Sequence, residues 1–147
     1  SELMENNADE KLYLNEEQID SLLYNRETDG TYANIKNATK KGYAVAKHGY
    51  GIDLSFPNSK TRRGRVQKDI SHTVQTRVTN GVYDNGRIRK LSALEVWRLM
   101  GFKDSDYYKA LSATNETSVY KQAGNSIAVP VLEGIFREIA KSINLIN

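Results

Sequence analysis

The chain reads as an α+β protein, a small antiparallel β region followed by a C-terminal helical segment. Three observations predict this. Residues 72–91 hold short runs of strand-forming residues around Asn80-Gly81 and Asn85-Gly86, dipeptides that signal tight hairpins. From Ser92 the apolar residues change to helical spacing, and Ser92 with Glu95 three positions on forms a capping box. Near the end, Ile127, Val131, Ile135, Ile139 and Ile143 recur every four residues beside Leu132, Phe136 and Ala140, a stripe wider than a lone surface helix needs.

In chain order, residues 1–10 are polar and expected to be mobile. Asn15 is a good N-cap for EEQIDSLLY, whose Ile19, Leu22 and Leu23 share one face of a short helix. Asp29-Gly30 signals a turn. Residues 36–50 mix Lys, Gly, Ala and Tyr and read as a loop with one strand near 43–46. Ile52, Leu54 and Phe56 alternate as a strand does, until Pro57 ends it. Short strands are then expected at Val66 and over 72–78, 81–83 and 87–91. Three helices follow. The first carries Leu94, Trp97, Leu99 and Met100 and closes at Gly101, with Trp97 as a core anchor. The second covers 104–111, and the third covers 114–123 with Thr117 or Ser118 as its cap. Gly124 suits a left-handed helix end, Ser126 suits the cap of the last helix, and Pro130 fits that helix's first turn. The Gly124-Asn125-Ser126 corner can hold a ligand with backbone and side-chain amides. It can equally be an ordinary helix–helix corner.

Composition narrows the chemistry. The 147 residues contain no cysteine, which removes disulfides, thiolate metal sites and any thiol nucleophile carried by this chain. His48 and His72 are too few for a metal site without carboxylate help, and no metal is expected. No apolar run has the length of a membrane span, and the opening residues are not signal-like, so a cytoplasmic protein without a membrane partner is expected. The net charge of +3 conceals an asymmetry. The first thirty or so positions are acidic, whereas 36–90 is basic and densest at Lys60, Arg62, Arg63, Arg65 and Lys68. A basic middle of this kind suits a polyanion, nucleic acid above all, although a solvated lysine-rich face gives the same count. Arg62, Arg63, Arg65, Thr73, Gln75 and Arg77 are the candidate DNA contacts. Arg grips phosphate or guanine in a bidentate way, Gln pairs with adenine, and Thr reaches phosphate.

RIRKLSALEVWRLMGF (residues 87–102) and YKQAGNSIAVPVLEGI (residues 120–135) together resemble the last two sequence motifs of the C5-cytosine DNA methyltransferases. The upstream RRGRV and SHTVQTR resemble the end of that family's target-recognition region. The resemblance is specific over about 60–143 and weak before Lys60. Departures are Met100 for a frequent Gln, Lys103 for Pro, Ile127 for Val and Val74 for Leu. Absent are the glycine-rich cofactor loop, the Pro-Cys nucleophile, the Glu-Asn-Val segment and the Gln-x-Arg-x-Arg segment. Arg63-Gly64-Arg65 lies too close to Arg87 to be the last of these.

The resemblance implies a restriction–modification type of chemistry, methyl transfer from S-adenosylmethionine to a cytosine swung out of double-stranded DNA. It implies a target-recognition region over 1–86 and, over 87–147, helical motifs that pack on a separate Rossmann-like catalytic domain. Lacking the thiolate that attacks cytosine, the chain is expected to be inactive alone and to need an N-terminal catalytic half as partner. Catalytic residues are therefore expected in that other half. Asn125 and Ser126 would stand at the edge of the cofactor site, while Arg89 and Glu95 would organise the recognition region. The last helix, lacking its sheet, should fold back on the chain, pair with a second copy as a homodimer, or bind the missing half. The alternative is a stand-alone double-stranded-DNA-binding module without catalysis.

Overall fold

A computed structural model describes residues 3–26 and 30–143. The expected turn at Asp29 lies outside the described residues. An opening 3-10 turn at Glu10–Leu12 leads to α1 (Glu16–Leu22). Asn15 caps α1 as expected, and Gln18 returns the bond to the Asn15 amide, completing a capping box. β1 (Tyr32–Lys36) and β2 (Tyr43–Lys47) pair as an antiparallel hairpin. β1 is an addition to what the sequence predicts, whereas β2 lies where one strand is expected. The main sheet contains β3 (Gly51–Asp53), β4 (Val66–Gln67), β5 (Asn80–Asp84) and β6 (Arg87–Lys90) in the order β4-β3-β5-β6, with every pairing antiparallel.

Of the two hairpin signals, one makes a turn. Asn85 and Gly86 both take positive φ, 44° and 91°, and join β5 to β6 as a primed turn requires. Asn80-Gly81 instead lies inside β5. The strand expected over 72–78 is absent. β5 is paired on both sides, with β3 and β6, and the outer edge of β6 meets Tyr13 and Leu14, so neither β5 nor β6 offers that segment a free edge. Buried Asn80 holds the start of that segment, its amide donating to the Ser71 hydroxyl (3.0 Å) and the His72 carbonyl (2.7 Å).

The helices α2 (Ala93–Leu99), α3 (Asp104–Ala113), α4 (Glu116–Asn125) and α5 (Val129–Ser142) follow. Successive residues of β5 face different cores. Val82 joins Leu94, Val96, Trp97, Tyr107, Val119 and Ala123, while Tyr83 joins Leu22, Ile35, Ala46, Ile52 and Ile88. Trp97 anchors the helical core, its indole donating to the Val119 carbonyl at 2.9 Å. In the segment expected to be mobile, Met4 packs against this core and the Glu5 amide donates to Glu95 at 2.9 Å.

Two cap assignments change around α4, one at each end. α4 is capped by Asn115, not Thr117 or Ser118, and it continues through Gly124 to Asn125. Ser126 therefore closes α4, its hydroxyl donating to the Ala123 carbonyl (2.7 Å), instead of opening α5. Ala128 precedes α5 without a side-chain cap, and Pro130 sits in the first turn, where an amide has no intrahelical acceptor. α5 buries no residue. Ile127, Val131, Ile135, Phe136, Ile139 and Ile143 are all exposed, so the stripe does not fold back onto the described chain. No helix among the described residues is long and apolar enough to cross a membrane.

Arg89 and Glu95 join the sheet to the helices. Arg89, fully buried in β6, makes two parallel bonds of 2.8 Å to Glu95 in α2 and a third of 2.7 Å to Asp84. Glu95 also accepts the Ser92 amide (2.8 Å). Burial opposes the Arg89 charge, yet the carboxylate bonds outweigh it and its pKa is raised. Removing one member of such a pair strands the other in a dry interior, at a cost of about 3–5 kcal/mol. Arg89→Met is therefore expected to lower the unfolding free energy by about that amount, seen as a lower urea midpoint at unchanged m-value.

Candidate nucleic-acid and cofactor-edge site

The candidate residues come from three places that the fold brings into contact. The first is the 62–65 loop. Asp53, at the end of β3, is buried and accepts the Ser55 amide (2.9 Å) and hydroxyl (2.5 Å) and the Arg62 guanidinium (2.7 Å). Burial alone would push its carboxyl up, but the Ser55 and Arg62 bonds outweigh that and hold it below the ordinary 3.8. Arg62 is thus half-buried and partly engaged. Arg63 is exposed, with one donor to the Ala38 carbonyl (2.9 Å) and the rest of its guanidinium outward. Arg65 differs. It is fully buried and donates to the carbonyls of Asp53 (3.3 Å), Ser55 (2.9 Å) and Phe56 (2.5 Å). Its two terminal nitrogens are turned inward onto these backbone carbonyls, so the DNA-facing position expected of it is not where the structure places it.

The second place is the 72–78 segment. The His72 ring bonds the Gly64 carbonyl at 2.6 Å, tying this segment to the arginine loop. Thr73, Gln75 and Arg77 are exposed, and their side chains form no hydrogen bond or ion pair among the described residues. Losing the expected strand leaves them as loop side chains. That suits reaching a groove, because no ladder fixes their direction.

The third place is the end of α4. Gly124 packs so closely on residues 75–76 that a Cβ there would lie 2.6 Å from the Gln75 carbonyl carbon and oxygen and 2.7 Å from the Thr76 nitrogen. This contact sets Gln75 beside the Asn125 corner. The Asn125 side chain is exposed and unengaged among the described residues, keeping two donors and one acceptor oxygen. The Ser126 hydroxyl proton is used on Ala123, leaving its lone pairs. The corner fits one edge of an amino-acid-like group, which presents both an ammonium and a carboxylate, but does not enclose it.

Sequence reasoning missed Asp53, His72 and the packing role of Gly124. A glycine within a helical run was the available signal for the last of these, since it weakens the helix unless something must approach closely.

The sequence profile described as C-5 cytosine-specific DNA methylase matches residues 1–141, and the chain belongs to that family. The orphan methyltransferase M.SPBetaI of Bacillus phage SPbeta is 33% identical over 185 aligned positions, covering 94% of this chain and 41% of the phage protein. The orphan methyltransferase M.Rho11sI of Bacillus phage rho11s is 40% identical over 111 positions, covering 62% of this chain and 22% of that protein. The type II methyltransferase M.HhaI of Haemophilus parahaemolyticus is 42% identical over 66 positions, 45% of this chain and 19% of the enzyme. The chain thus spans at most about two fifths of these relatives' length. No solved structure matches it.

Two outcomes test the geometry. Gly124→Ala gains about 1 kcal/mol of helix propensity, but overpacking costs about 1–3 kcal/mol, and here the obstacle is backbone that cannot rotate away. The variant should therefore be less stable in thermal unfolding, with faster amide exchange over 72–78. For Asp53, a depressed folded pKa means its contribution is present above the unfolded value of 3.8 and lost as pH falls through the lower folded value. Asp53→Asn should destabilise at pH 7, and its gap to the parent should close as pH falls through that window, read as urea midpoints against pH.

Proposed function

We propose that this chain is the target-recognition and cofactor-edge portion of a DNA (cytosine-5) methyltransferase. In that reading 1–86 reads DNA, and 87–147 completes a catalytic domain whose remainder carries the thiolate. The observation that carries the proposal is the packing of Gly124 on residues 75–76, which joins a basic, hydrogen-bond-rich loop surface to the Asn125 corner. Support comes also from the absence of any cysteine in the chain, from the exposed apolar face of α5 and from the chain's limited share of its relatives' length.

The roles follow from what each group has free. Arg63 and Arg77 reach phosphates, Arg62 does so with the part of its guanidinium not turned to Asp53, and Thr73 and Gln75 meet phosphate or base edges. The buried Arg89–Glu95 pair keeps the sheet at a fixed angle to the helices, so DNA held by the loops is registered against the corner. The Asn125 carboxamide would help hold S-adenosylmethionine by its amino-acid group, with the Ser126 hydroxyl oxygen able to accept alongside. S-adenosylmethionine supplies the methyl group when bound. α5 lays its apolar stripe on the catalytic portion, removing side chains such as Val131 and Ile135 from water.

The test is complementation. The chain alone should transfer no methyl from labelled S-adenosylmethionine to double-stranded DNA, and mixing it with a catalytic portion bearing the Pro-Cys motif should restore transfer. Arg63→Ala and Arg77→Ala should each lower the salt slope of duplex binding by about 1. Methyl transfer by the isolated chain would refute the division of labour. Duplex affinity in the isolated chain with no restoration on mixing would favour a stand-alone DNA-binding module.

A further inference from the structure

Residues 53–56 present an aromatic ring to water in a conformation the ring does not favour. Phe56 is 74% exposed with φ at 47°, the left-handed region that bulky side chains avoid. A single exposed Phe on an ordinary backbone would need no account. This one is held in place from beneath. Buried Arg65 donates to the carbonyls of Asp53, Ser55 and Phe56, the Ser59 amide donates to the same Phe56 carbonyl (3.0 Å), and Asp53 binds both Ser55 and Arg62. Were a turn all that is needed, Gly or Asn at position 56 would make it without strain. The fold instead commits a buried cation and a disfavoured backbone to keep a ring outside.

We propose that Phe56 is a stacking residue that lays its ring against a nucleobase of the bound DNA. This rests on the DNA-reading role above and adds a contact to it. The neighbours decide the kind of partner. Asn58, Lys60, Thr61 and Arg63, the exposed residues that follow Phe56 along the chain, are all polar or cationic. An aromatic face among cations suits a nucleic acid, with the ring on a base and the cations on the phosphates beside it. A base step already unstacked, or one with a base removed, offers the ring most room.

The test uses the full chain with two probes, a pool of random-sequence DNA duplexes and the same pool carrying one abasic position per duplex. Phe56→Ala should weaken binding by about tenfold, the loss of roughly one base–aromatic stack. The slope of log K against log salt should stay unchanged, because no phosphate contact is lost. The parent should prefer the abasic pool, Phe56→Trp should keep that preference and Phe56→Ala should lose it. Phe56→Gly should melt no lower than the parent, since the left-handed strain is gone. Equal affinity of Phe56→Ala and the parent overturns the proposal. So does a fall in affinity with a lower melting temperature or a shallower salt slope, which marks a merely structural ring. If Arg63→Ala weakens binding while Phe56→Ala does not, the DNA-reading role stands and the stack alone fails. A parent that binds neither pool removes both.

Discussion

The rest of the molecule depends on one buried ion pair. The Arg89 guanidinium faces the Glu95 carboxylate through two parallel bonds, with Asp84 completing its shell, all across the joint between β6 and α2. Glu95 serves at the same time as the returning acid of the α2 capping box and as acceptor for the Glu5 amide. Helix start, sheet edge and N-terminal segment therefore converge on one carboxylate. Apolar side chains could fill that space with similar stability, but they would not fix the angle between sheet and helices in the same way.

The second constraint is backbone against backbone. Gly124 lets α4 close on residues 75–76, so two segments nearly fifty positions apart share a surface. Loop and corner are then parts of one body rather than modules on a tether. A displacement of the loop would be felt at Asn125 through packed atoms, without any need for a hinge. The long apolar face of α5 is the contrasting feature. It leaves the helical core at Met100, whose carbonyl accepts the Val129 amide at 2.8 Å, and then carries its stripe into solvent.

Local chemistry was legible in the sequence and long-range partnership was not. Asn15, Ser92 with Glu95, and Asn85-Gly86 were readable because a cap or a primed turn is decided within four residues. The strand expected over 72–78 failed because alternation records only that side chains can point both ways, while a strand needs an open edge, and β5 had none. Gly124 reads as a helix end because the same residue type serves ends and close approaches. Among the arginines, Arg63 and Arg65 look alike in sequence. Three carbonyls turned inward by the 53–56 turn make one of them a buried brace and leave the other facing water. Phe56 completes an apparent alternation with Ile52 and Leu54, which hides the fact that β3 stops at Asp53.

On the proposed reading the sheet and the α4 corner form a finished unit, whereas the apolar face of α5 is completed by another polypeptide portion. Amide hydrogen exchange measured on the chain alone and mixed with a catalytic portion tests this most directly. The account predicts slow exchange in β5 and β6 in both samples, and exchange in α5 that is fast alone and slows by at least about a hundredfold on mixing. Protection of α5 equal to that of β5 in the isolated chain, or no change on mixing, would contradict it.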